Sequence, residues 1–231
     1  MKRLFAILIL AAPVQLLAAI GCTLSNPAED LKYLFPTMTT FREDLNEFPR
    51  LKDGAELFKG LKTRLGSDLD TIYETYETPY TVYTVFAGNT KIGIVHGVNV
   101  PGKGGVIQVF LSVDPVTAEI KSFFFQRLES SAAKQLRDRD FRAQFTTLTL
   151  ADFYKHDYYA TAQPASKADR LTRIKAPGTL EASGQYDYQA SLRAVRKNLI
   201  LLDFFVFGKR SEPFFLRASE ARAKQTNTKT N

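Results

Sequence analysis

The stretch YTVYTVFAGNTKIGIV, residues 80–95, holds two runs rich in aromatic and β-branched residues on either side of Gly88-Asn89. Such side chains suit a pleated, half-buried surface, and Gly-Asn supplies the backbone angles of a tight hairpin turn. The stretch reads as a β-hairpin. Two further runs follow, GVIQVFLSV at 105–113 and EIKSFFFQ at 119–126, bounded by Gly, Pro and the turn signal Asp114-Pro115. Four short strands in succession predict an antiparallel meander.

The flanks read as helices. Leu57, Leu61 and Leu65 recur every four residues between Gly54 and Gly66 and predict one short amphipathic helix. After the strands, residues 129–145 (ESSAAKQLRDRDFRAQF) change period and bring Ala133, Leu136, Phe141 and Phe145 near one helical face. A polar stretch over 161–177 is expected to be an exposed loop. Tyr188, Leu192, Val195, Leu199 and Leu202 then mark a long amphipathic helix, with EASGQYDYQASLRAV at 181–195 as its entrance. The expected fold class is α+β, an antiparallel β-sheet with flanking helices. The chain divides into an extension with one short helix over 22–79, a domain over 80–207, and a basic tail over 208–231. That tail loses apolar content after Ala218 and is expected to be disordered.

Residues 1–21 have a different character. Met1-Lys2-Arg3 precedes an almost wholly apolar run that ends at Gly21-Cys22 and is interrupted by Pro13 and Gln15. A spanning helix needs about 20 apolar residues, so the segment reads as a secretory signal. Ala19-Ile20-Gly21-Cys22 resembles a bacterial lipobox, in which the cysteine thiol takes a diacylglycerol thioether and becomes the mature N-terminus. Cys22 is the chain's single cysteine and has no internal disulfide partner. The expectation is a lipid anchor at Cys22 in a bacterial envelope. Thr23, standing where an aspartate would favour inner-membrane retention, points to the outer membrane. Ordinary signal cleavage with an incidental Cys22 is the alternative.

The formal net charge is +7, and residues 167–231 concentrate the excess, with 13 basic against 6 acidic residues. A basic segment of this kind meets anionic lipid or a phosphate ligand, or is simply solvated; nucleic acid is not inferred. His96 and His156 have no carboxylate or cysteine at metal-ligand spacing, so no metal site is expected. Neither a Gly-x-Ser-x-Gly elbow nor a phosphate-binding Walker loop is present. The features left are Gly102-Lys103-Gly104-Gly105 between two strands, Glu129-Ser130-Ser131 at a strand-to-helix junction, and Ser183-Gly184 opening a helix. Glycines allow close backbone approach and helix N-termini favour anions, so all three suit a phosphate-bearing ligand.

The order of these features over residues 80–203 resembles the FMN-binding domain. That domain occurs in flavin-carrying subunits of sodium-translocating NADH:quinone reductase and Rnf complexes, and in membrane regulators of nitrous oxide respiration. The resemblance implies an FMN-binding-domain-like fold and an FMN site at Gly102, Lys103, Gly104, Glu129, Ser130, Ser183, Gly184 and Tyr186. In flavinylated members the fourth residue of Ser-Gly-Ala-Thr carries FMN through a phosphoester. Tyr186 stands at that position here, and Ser130-Ser131-Ala132 replaces the Thr-Pro-Gly that follows the family's glutamate. Non-covalent FMN in an extracytoplasmic electron carrier is therefore expected, with a redox or envelope complex as partner rather than self-contained enzyme activity. In that reading Tyr186 or Tyr188 stacks on the flavin ring or packs its helix, Glu129 lies near the ring or caps a helix, and Lys103 pairs with phosphate or is solvated. A cofactor-free envelope module retaining the fold is the alternative.

Overall fold

The computed structural model describes residues 21–155 and 170–229. Residues 1–20 of the expected signal segment over 1–21, His156 and residues 161–169 of the expected loop lie outside them. At the centre is a five-stranded antiparallel sheet in the order β1 (Thr40–Asn46), β2 (Tyr80–Ala87), β3 (Thr90–Pro101), β4 (Val106–Val113) and β5 (Ile120–Arg127). Each strand pairs with the next in sequence, so the sheet is the predicted meander with one strand added. The α+β fold class holds.

Both faces of the sheet are covered, which is why β2 to β4 read as near-continuous apolar runs. On one face Val82, Ile94, Val98, Val100, Val109, Leu111, Phe123 and Phe125 meet the helices. The long helix α6 (Ala182–Phe205) lies across β3 and β4. Beside it pack α2 (Gly54–Leu65) and α5 (Leu150–Lys155). On the other face Tyr83, Val85, Val95 and Phe110 pack with Cys22, Leu24 and the short helix α1 (Pro27–Leu34) through Leu31. The Leu24 amide donates to the Tyr83 hydroxyl at 3.1 Å and pins this N-terminal segment to the sheet.

Three elements differ from the sequence reading. β1 falls inside the expected extension and pairs along its whole length with β2, so 22–79 contributes to the central sheet. Its sequence, TFREDLN, is mostly polar because it is an exposed edge held by backbone pairing. The single helix expected over 129–145 is broken into α3 (Ala133–Leu136) and α4 (Arg139–Ala143). Asp138 causes the break, its carboxylate accepting from the Asp140 and Phe141 amides as an N-cap. Leu136, Phe141 and Phe145 nonetheless all reach the core.

The segment expected to be a disordered tail forms α7 (Glu212–Lys229). Pro213 suits a first helical turn, and the Ala, Arg, Lys and Glu that follow are strong helix formers despite their polarity. Phe214 and Phe215 hold the helix against the core, Phe215 lying 5.7 Å from the Tyr154 ring. No helix among the described residues is long and apolar enough to cross a membrane.

Candidate functional site

The three segments singled out for phosphate meet at one end of the sheet. The β3–β4 hairpin closes with the Gly102 amide donating to the Gly105 carbonyl at 2.8 Å. A Cβ on Gly104 would stand 2.2 Å from the Glu129 carbonyl oxygen, so only glycine lets the hairpin approach the chain leaving β5. Gly184, in the first turn of α6, is pressed in the same way against Ala132, whose Cβ would lie 2.9 Å from an added methyl. Ser131 and Ser183 join the two segments through their hydroxyls at 2.8 Å.

The eight predicted residues are thus drawn to one junction, but their roles differ. The Lys103 amide donates to the Asp187 carboxylate at 2.8 Å, while its ammonium sits 4.8 Å over the half-exposed Tyr186 ring. Glu129 is exposed and paired with Arg127 at 2.8 Å rather than capping a helix. The Ser130 hydroxyl accepts from the Ala132 amide at 3.1 Å. Tyr188 packs in the core with its ring 5.8 Å from Phe141, and burial pushes its phenol pKa up. Ser191 is fully buried and donates to the Asp187 carbonyl, well inside the helix.

Two residues at the junction carry more than their sequence positions suggested. Asp187 is completely buried, with one carboxylate oxygen on Lys103 and the other without a hydrogen-bond partner. Ser131 supplies the hydroxyl that faces Ser183. No local motif marks either, since each is defined by a partner distant in sequence. At the entrance of α6, Glu181 makes no side-chain cap bond, and the first turn holds no acidic residue. The positive end of the helix dipole is left to Ser183 and the adjacent amides.

Gly104→Ala is expected to destabilise the protein by about 1–3 kcal/mol, because the obstacle is a backbone carbonyl that cannot rotate away. A urea midpoint unchanged from wild type would show that this glycine serves something other than packing.

A buried polar layer runs beneath the middle of α6. The Lys197 ammonium lies 2.5 Å from Glu74 and donates to the Asn99 carbonyl at 2.9 Å. Arg196 pairs with buried Asp68, and Arg64 with Asp203 at 2.7 Å. Asn198 gives its amide hydrogens to the Val109 and Ala194 carbonyls, so its oxygen receives the Nδ1 proton of His96 at 2.8 Å. That bond fixes the tautomer and leaves Nε2 bare and unpartnered. Burial, assisted by Lys197 and opposed by the Asn198 bond, pushes the His96 pKa down to about 4.

Cavities lie elsewhere along α6. One of about 230 Å³ sits between α5, α6 and α7, and another of about 280 Å³ between α2, α6 and α7. Neither takes lining from the junction. Cys22 is buried, bridging to Tyr80 on β2, and desolvation pushes its thiol pKa up to about 12. No protein-family model matches the chain, and no curated protein matches it.

Proposed function

We propose that the chain is an exported, lipid-anchored protein whose junction of hairpin, Glu129–Ser131 segment and α6 entrance holds FMN non-covalently for electron transfer. The observation that carries this reading is the meeting of three phosphate-suited segments, far apart in sequence, at one place. The Ser131 and Ser183 hydroxyls and the uncapped first turn of α6 are the groups offered to a phosphate. Lys103 adds positive charge, and Tyr186 offers an exposed ring face beside it. FMN would supply the redox chemistry, while these residues bind and orient it. A tyrosine at position 186 in place of threonine goes with a cofactor held without an ester.

A cofactor-free envelope module has specific support as the second reading. The Lys103 amide is already taken by Asp187, and the Gly104 and Gly184 surfaces are filled by Glu129 and Ala132. The glycines then serve the fold alone.

Purified mature protein is expected to show visible flavin absorption that is lost to the filtrate after denaturation, and Ser183→Ala with Lys103→Gln should weaken FMN rebinding at least tenfold, about 1.4 kcal/mol. Colourless protein that takes up no added FMN selects the cofactor-free module. Acyl mass on Cys22 tests the anchor separately. Because that side chain is 7 % exposed, a diacylglycerol thioether requires the segment at Cys22 to lift from its bridge with Tyr80.

A further inference from the structure

At the outer edge of β5, a groove of about 520 Å³ opens between α1, β5 and α4. Lys121, Arg139 and Arg142 line it, together with Tyr33. A smaller cavity of about 200 Å³ adjoins it, sharing Tyr33 and Arg142 and adding Arg137 and Phe124. No carboxylate lines either among the described residues. Lys121 reaches Asp114 at 3.4 Å, whereas Arg139 has no carboxylate partner among the described residues. Arg142 and Arg137 are held in place, donating to the Phe123 carbonyl at 3.0 Å and the Phe125 carbonyl at 2.5 Å. Like charges are thus gathered at a surface where, among the described residues, one carboxylate, Asp114, answers them.

We propose that this groove seats the protein on an anionic membrane, with lipid phosphates as the groups bound; the proposal rests on the anchoring at Cys22 given above. Two observations favour a lipid surface over another occupant. Tyr33 is 70 % exposed at the groove wall, and an apolar ring with a polar tip suits the headgroup layer. Leu34, which lines the groove, and Phe124, which lines the adjoining cavity, also pack on the hydrophobic cluster that contains Cys22, so the cations border the part of the molecule that carries the anchor. An acyl chain leaving at Cys22 brings the basic groove to the headgroups, where each Lys or Arg gains attraction that salt screens.

The chain contains no tryptophan, so Tyr33→Trp places a single reporter at the groove. The full acylated chain carrying it is reconstituted into phosphatidylcholine vesicles with and without phosphatidylglycerol. Blue-shifted emission and quenching by brominated lipid are expected only with phosphatidylglycerol, and raised salt should reverse both. Lys121→Gln and Arg139→Gln should each lower the ratio of seated to lifted protein about fivefold. Identical emission in the two vesicle types overturns the proposal. So does an equal shift on adding inorganic phosphate to neutral vesicles, which makes the ligand a soluble phosphate. If the Cys22 mass shows no acyl addition, the anchor reading fails by itself; anionic vesicles added to that unacylated chain must then still shift the reporter, or the groove reading fails too.

Discussion

Lys197→Met is expected to cost about 3–5 kcal/mol of folding stability, because it leaves the Glu74 carboxylate buried without its counter-charge. Lys197 is completely enclosed, and its ammonium bonds to Glu74 and the Asn99 carbonyl. After its removal Glu74 keeps, among the described residues, only the Asp70 amide at 2.9 Å. Burial already pushes the Glu74 pKa up, and losing the lysine pushes it further. A group with a raised folded-state pKa gives up stability as pH rises through that value, so the deficit should be larger at about pH 8 than at about pH 5. Adding Glu74→Gln should recover part of the loss, since the uncompensated charge disappears. Urea denaturation of both variants checks this; a Lys197→Met loss under about 1 kcal/mol would mean that water or another group reaches Glu74.

His96 should make stability fall by roughly 3 kcal/mol between neutral pH and about pH 4. Its folded-state pKa is depressed from an ordinary 6.5 to about 4. In that window the unfolded chain takes up a proton that the native state refuses, so stability present above 6.5 drains away as pH falls. His96→Asn can keep a polar partner for Asn198 yet has no such proton. The difference between the wild-type and variant stability curves should therefore be flat above neutrality and slope through the acid window. Parallel curves would show that the imidazole is protonated in the native protein, with water at Nε2.

The sheet was largely legible because β2 to β5 must satisfy two apolar faces, and the residues that do so are aromatic and β-branched. The long helix was legible from the period of Tyr188, Leu192, Val195, Leu199 and Leu202, all of them buried; Tyr188 lies on Phe141 and Leu199 and Leu202 lie beside α5 and α7, while Lys197 and Asn198 bond the sheet. Its other faces were not. Arg196, Lys197 and Asn198 look solvent-facing beside that stripe, yet Asn198 is enclosed against His96 and Val109 of the sheet, and the chain carrying Asp68 and Glu74 closes over Arg196 and Lys197 as a buried ionic layer. β1 escaped notice because an edge strand held by backbone pairing needs no apolar signature. α7 escaped for a related reason, as two phenylalanines suffice to dock a segment of good helix formers.

At the junction, the types of residue were legible and their partners were not. Spacing along the chain gives no hint that the Lys103 amide meets Asp187 or that Ser131 meets Ser183, since these pairs exist only once the hairpin and the α6 entrance are folded together. That pairing is also what keeps the FMN-binding and cofactor-free readings in competition.

The arginines along β5 have a bearing on crowding. A sheet whose last strand offers free carbonyls invites another copy to add a strand, and the hazard grows where molecules are concentrated in two dimensions. Here Arg137 and Arg142 occupy the Phe125 and Phe123 carbonyls, while the opposite edge presents Arg42, Glu43 and Asp44 to solvent. Neither border of the sheet is a template for growth, so neighbouring copies can slide past one another without zipping into a shared ribbon.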